Sequence, residues 1–136
     1  MKSLNNISRA QEAFRREQLP GEMPPQMHPF VMAITRNPGA IQDEIGADIC
    51  ISKSMVSRRI EWLLERGYVR READSEDKRC LRIYPTEKML EIYGEVRRIS
   101  RKWIESLTEF VSEDELALFE DVLHRLEARA REVAHL

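Results

Sequence analysis

The sequence predicts a mainly α chain with a small β-hairpin wing: a winged helix-turn-helix with long N- and C-terminal dimerisation helices. Three observations carry that expectation. Apolar residues recur at three- and four-residue spacing through most of the chain, two short alternating stretches enclose a charged segment near residue 75, and long apolar-striped segments flank this central pattern. With 136 residues, one core is expected to serve a single domain, 1–136, in which 28–85 form a central lobe and 1–27 and 86–136 form arms.

Leu4, Ile7, Gln11, Phe14 and Gln18 lie at helical spacing and predict a first helix ending before Leu19-Pro20-Gly21. Glu22-Met23-Pro24-Pro25 reads as a break. A second helix starts near His28, where Pro29 in the first turn loses little because its missing N–H would be unpaired anyway, and it stops at Asn37-Pro38-Gly39. A short third helix spans about 41–49 with Ile41, Ile45 and Ile49 on one face. Ser52 is the expected N-cap of a fourth, whose inward stripe is Val56, Ile60 and Leu63 with Leu64 beside it, and Gly67 closes it. Residues 68–72 and 81–84 then alternate as the strands of a hairpin with the charged tip 73–80. Thr86 is placed to cap a long fifth helix carrying Met89, Tyr93, Val96, Ile99, Trp103, Leu107 and Phe110. The capping box Ser112-Glu113-Asp114-Glu115 opens a last helix striped by Leu116, Phe119, Leu123, Leu126, Ala130 and Val133.

Apolar residues make up 42% and charged residues 34%, with five Gly and six Pro, so disordered and collagen-like chains are excluded. The longest apolar run, Phe30-Val31-Met32-Ala33-Ile34, is far short of the roughly 20 residues of a membrane span, and no basic-then-apolar leader opens the chain, which predicts a cytoplasmic protein with no membrane partner. Two cysteines, Cys50 and Cys80, are too few for a disulfide scaffold and lie in no zinc-ligand spacing, so neither a metal nor a cofactor is expected.

The net charge of −2 conceals a division along the chain. Residues 52–82 sum to +3 and 83–104 to +2, whereas 1–51 sum to −1 and 105–136 to −6. A positive middle implies a localised anionic partner, because the local patch rather than the total sets the near field. Within it, Ser52, Lys53, Ser54, Met55, Ser57, Arg58 and Arg59 crowd the first two turns of the fourth helix, and every acid of 52–66 lies at or after Glu61. The major groove of B-DNA admits one helix, N-terminal turns foremost, so small polar side chains and cations belong there and acids do not. An ordinary surface helix would carry both signs along its whole outer face. DNA reading is therefore favoured, with 28–85 as a DNA-binding lobe.

These residues also carry a resemblance. Ile51-Ser52-Lys53-Ser54-Met55-Val56-Ser57-Arg58, followed by Leu63-Leu64-Glu65-Arg66-Gly67-Tyr68-Val69, then Asp77-Lys78-Arg79 and Tyr84-Pro85-Thr86-Glu87-Lys88, make residues 28–130 similar to the MarR-type winged-helix transcription regulators. The resemblance implies an obligate homodimer with interlocked terminal helices, a recognition helix at 52–66, and a wing tip entering the minor groove. On matching positions, Arg79 is the wing arginine, Asp77 is the carboxylate that orients it, and Lys78 stands beside them. It further implies a homodimeric repressor on a pseudo-palindromic operator, relieved by a small amphipathic or aromatic effector whose binding residues are unknown. Three positions depart from the pattern: Met55 stands where relatives have a small polar residue and is placed to touch a thymine methyl, Met89 replaces a glycine, and Ala40 replaces a hydroxyl cap.

Other residues carry plainer readings. His28, His124 and His135 are far apart and read as surface or capping residues rather than metal ligands; Cys50 and Cys80 read as buried structural thiols; Trp62 and Trp103 read as packing residues. No catalytic constellation occurs, and helix capping accounts for Ser112 and Asp114, so an enzyme is not expected. Two alternatives stay open: a winged-helix protein-interaction module, and a cysteine-based redox-sensing regulator. Since a stripe without an internal partner must be covered, Ile7, Phe14, Phe119, Leu123 and Leu126 are the candidate dimer interface.

Overall fold

A computed structural model describes residues 1–136 except Pro20, Glu22 and Leu136, so part of the break expected at 20–25 lies outside the described residues. The chain runs α1 (Lys2–Gln18), a 3-10 turn (Pro25–Met27), α2 (His28–Arg36), α3 (Gln42–Ile49), α4 (Lys53–Glu65), β1 (Val69–Ala73), β2 (Leu81–Pro85), α5 (Glu87–Thr108) and α6 (Glu113–Ala134). It divides into two compact units, Met1–Ser100 and Arg101–Leu136.

In the first unit, one core gathers Phe30, Val31 and Ile34 of α2, Ile45 of α3, Val56, Ile60 and Leu63 of α4, Ile83 of β2, and Met89 and Val96 of α5. α2, α3, α4 and α5 each contribute residues of the stripe their periodicity implies, whereas α1 buries none. Met23 and Met27 are also fully buried, so the stretch after α1 packs into the core, where the sequence reading has only a break. Flexible thioether chains suit that irregular gap between a 3-10 turn and a helix.

The helix-turn-helix closes tightly at Gly46. A Cβ there would lie 3.0 Å from Val56 Cγ2 and 3.1 Å from the Ile51 carbonyl oxygen, which leaves hydrogen as the fitting side chain where α3 meets α4. Ile41, one residue after the expected position, caps α3, and its N–H is accepted by Glu44 Oε2 at 2.9 Å. Ala40 serves the hairpin instead. Its carbonyl accepts the Ile83 N–H at 3.0 Å, and the Gly39 N–H donates to the Ile83 carbonyl at 2.8 Å. This short antiparallel bridge fastens the end of the α2–α3 loop to β2.

β1 and β2 pair antiparallel, with Val69 opposite Pro85 and Arg71 opposite Ile83. Gly67, at φ +72, turns the chain out of α4, and the Gly67 and Tyr68 N–H groups take up the carbonyls of Leu64 and Leu63. Thr86 directly precedes α5, and its carbonyl accepts the Leu90 N–H at 3.0 Å. The hydroxyl lies 2.6 Å from the Gly67 carbonyl oxygen and 2.9 Å from that of Tyr68, and is drawn to these acceptors at the hairpin base.

In the second unit the capping box of α6 is complete: Ser112 Oγ accepts the Glu115 N–H at 3.3 Å, and Glu115 Oε2 accepts the Ser112 N–H at 3.1 Å. Phe110, expected on the α5 stripe, sits instead in the turn after that helix and is 82% exposed. Phe119 and Leu126 are each 52% exposed, and no residue of α6 is buried. None of the described helices is long and apolar enough to cross a membrane.

Candidate nucleic-acid interface

α4 supplies the first part of the site. Val56, Ile60 and Leu63 anchor its inner face in the core, and that anchoring turns Lys53, Ser54, Met55, Ser57 and Arg58 to solvent. Ser52 occupies the N-cap with extended backbone, but its Oγ accepts no helix N–H and lies 3.4 Å from the Ser54 hydroxyl. The first turn of α4 therefore keeps unfilled N–H groups and the positive end of the helix dipole, both suited to a phosphate. Lys53 makes an exposed ion pair with Asp43 of α3 at 3.1 Å, which holds its ammonium beside that turn.

The wing supplies the second part. Its tip is folded by one carboxylate: Asp74 Oδ1 accepts the N–H of Glu76 at 2.8 Å and of Asp77 at 3.3 Å. The Glu76 N–H, then the Arg82 guanidinium and the Asp77 N–H, hold the Asp74 carboxyl below the usual carboxylate range. Asp77 Oδ1 in turn accepts the Arg79 N–H at 3.0 Å and Arg79 Nε at 3.3 Å, while the Arg79 side chain stays 93% exposed. The wing arginine is thus restrained at its root and open at its end. Lys78 is exposed beside it.

The strands carry a second set of contacts that sequence reasoning missed. Arg71 of β1 pairs with Glu61 of α4, so the first acid of α4, read only as the end of its basic face, ties that helix to the wing. Arg66 lies over the Trp62 ring at 4.1 Å, Trp62 stacks in parallel with Tyr68 at 6.1 Å, and Lys88 sits 4.4 Å over Tyr68. Trp62 is a packing residue at this joint. The signal available in advance was opposite charge across ten residues, too common to single out a pair.

Two sequence expectations are corrected here. Cys50 is exposed rather than buried: it closes α3 in a left-handed conformation at φ 55, a position that points its side chain away from the core, while Cys80 is half-buried. His28 is buried rather than superficial, at 1% exposure, because α2 starts directly from the 3-10 turn with its buried Met27, and that turn packs against α1. Neither ring nitrogen has a hydrogen-bond partner, and burial together with the nearby Arg15 charge pushes its pKa down to about 4. Among the described residues no group of His, Cys, Asp and Glu is arranged to hold a metal ion.

Residues 26–81 match the model of the MarR family. An uncharacterized HTH-type transcriptional regulator of Bacillus subtilis (strain 168), YybA, is 29% identical over 98 residues, which cover 71% of this chain and 65% of that protein. The matched stretch thus spans somewhat under two thirds of that relative. The crystal structure of the transcriptional regulator SlyA superposes with a TM-score of 0.87 at 25% identity, covering 96% of this chain and 93% of that one. That of Streptococcus pneumoniae FabT in complex with DNA shares the fold, with a TM-score of 0.78 at 18% identity over 97% of this chain and 92% of that one. A family model matched across the helix-turn-helix and most of the wing, joined to these likenesses, makes this chain similar to the MarR family of regulators.

Proposed function

We propose that the protein is a transcription regulator that binds duplex DNA as a homodimer, with α4 in the major groove and the wing tip in the adjacent minor groove. The observation that carries this reading is the presentation of two exposed cationic features on one folded lobe: the acid-free outward face of α4 across residues 53–58, and Arg79 at the wing tip, 93% exposed at its side chain and restrained by Asp77. Arg58 reads a base edge or an adjacent phosphate, Lys53, Ser52 and Ser54 hold the backbone at the helix N-terminus, and Met55 and Ser57 line the groove between them. Support also comes from the relatives, which are helix-turn-helix transcriptional regulators, and from FabT, whose shared fold is seen with DNA. A homodimer doubles these elements about a two-fold axis, which calls for a pseudo-palindromic operator with half-sites about one helical turn apart. The resemblance to MarR-type regulators favours repression relieved by a small amphipathic or aromatic effector.

Selection of bound sequences from random duplexes tests the reading directly. Enrichment of an inverted repeat is the expected result, with log affinity falling linearly as log salt rises. Recovery of no preferred duplex at low salt overturns it in favour of a protein-interaction module. On the recovered duplex, Arg58→Ala is expected to weaken binding by about 1–3 kcal/mol and to relax sequence preference at one position of each half-site.

A further inference from the structure

Behind the exposed tip of the wing lies a hydrogen-bonded chain that leads back into the lobe. Arg79 is held by Asp77, and the Asp77 N–H by Asp74 Oδ1 at 3.3 Å. Asp74 Oδ2 accepts Nε of Arg82, and Arg82 Nη1 reaches across 43 residues of sequence to donate to the Gly39 carbonyl at 2.9 Å. Gly39 is itself immobilised: its N–H is given to Ile83, and its backbone, at φ +89, lies so close to Tyr84 that a Cβ would meet the phenol oxygen at 3.0 Å. Asp74 is 13% exposed at its side chain, so this link is sheltered from water at its centre.

We propose that Arg82 is a positioning residue for minor-groove reading: its two-branched guanidinium ties the wing tip, through Asp74, to the α2–α3 loop and so fixes where Arg79 is presented relative to α4. The inference rests on the DNA-binding reading given above. A forked side chain suits this tie. One branch meets the carboxylate that folds the tip and the other meets a carbonyl of the scaffold, a division that a single ammonium on a flexible stem makes poorly. Backbone pairing alone leaves a two-stranded hairpin free to twist and bend, because an isolated ribbon has marginal stiffness and stability. A side-chain tie from tip to scaffold removes that freedom before binding, so less entropy is lost when Arg79 enters the groove. Since two of its donors are turned inward, Arg82 acts through Arg79 rather than as a phosphate contact.

The test uses the full chain and a duplex recovered by selection, with Arg82→Gln, Arg82→Lys and Asp74→Asn prepared alone and in an Arg79→Ala background. Each single variant is expected to weaken binding about tenfold, with loss of preference for A·T pairs under the wing and retention of the preferences set by α4. In the Arg79→Ala background the same changes are expected to add nothing. Arg82→Lys at full affinity, or losses that add to that of Arg79→Ala, would overturn the proposal while leaving DNA binding intact. Asp74→Asn guards against an unfolded arginine variant, since it cuts the same link from the other end and nearly keeps the shape. Charge alone makes that variant bind tighter, so tighter binding also overturns the proposal. If the unmodified chain selects no duplex, the DNA-binding reading itself has failed.

Discussion

At the scale of single residues, the pair Asp77 and Arg79 decides between electrostatics and geometry. In the proposed docking Asp77 would meet the phosphates with the wrong charge, yet its carboxylate holds both the Arg79 backbone and Nε. Arg79→Ala is expected to weaken operator binding by about 1–3 kcal/mol, and Asp77→Ala to weaken it as well despite removing a negative charge. Titration at fixed salt checks both, and tighter binding by Asp77→Ala would leave Arg79 as an ordinary phosphate contact. His28 gives a residue-scale prediction of another kind. Its folded-state pKa of about 4 lies below the ordinary 6.5, so the unfolded chain takes up a proton that the folded chain refuses. Stability is expected to fall as pH drops from 6.5 towards 4, by about 3 kcal/mol in total, and to lose no more from this group below that. Denaturant titrations across that range should show the decline, and His28→Gln should flatten it.

At the scale of elements, the angle between α3 and α4 depends on the absence of a side chain at Gly46. A methyl group would press on Val56 and on the Ile51 carbonyl, both held by the core and the turn. Gly46→Ala relieves backbone entropy within a helix, but the crowding outweighs that gain. It is expected to lower stability by about 1–3 kcal/mol and to weaken DNA binding beyond what stability explains, because the recognition helix must tilt. Thermal unfolding and duplex titration of the same preparation separate the two effects, and an unchanged melting temperature would show that the turn has room to spare.

At the scale of the whole molecule, the balance of apolar surface matters more than any contact within one chain. α1 and α6 bury no residue among those described, and Ile7, Phe119 and Leu126 are exposed, with Phe14 and Leu123 half-buried. Stripes of that length on amphipathic helices are what an obligate two-fold partner covers. A chain of 16.0 kDa is therefore expected to scatter light as a particle of twice that mass, and Leu123→Asp to dissociate or unfold it. A monomer stable at micromolar concentration would remove the basis for a palindromic operator.

The sequence alone determined where the α-helices lie and which faces of α2, α3, α4 and α5 look inward, because spacings of three and four residues and of two are local consequences of backbone geometry. It also determined the basic start of α4 and the wing pair Asp77 and Arg79, since nearness in sequence fixes nearness in space over one or two turns. The burial of His28 and Met23, the exposure of Cys50, the pairing of Ala40 with β2 and the use of the Thr86 hydroxyl as a tie to the hairpin base were decided elsewhere. So were the links from Arg71 to Glu61 and from Arg82 to Asp74 and Gly39. In each of these cases the outcome depends on which surfaces other elements cover or which acceptors they bring within reach. Only the tertiary structure sets those distances, because a polar side chain takes the partner that folding places beside it, and nothing in its own sequence neighbourhood names that partner.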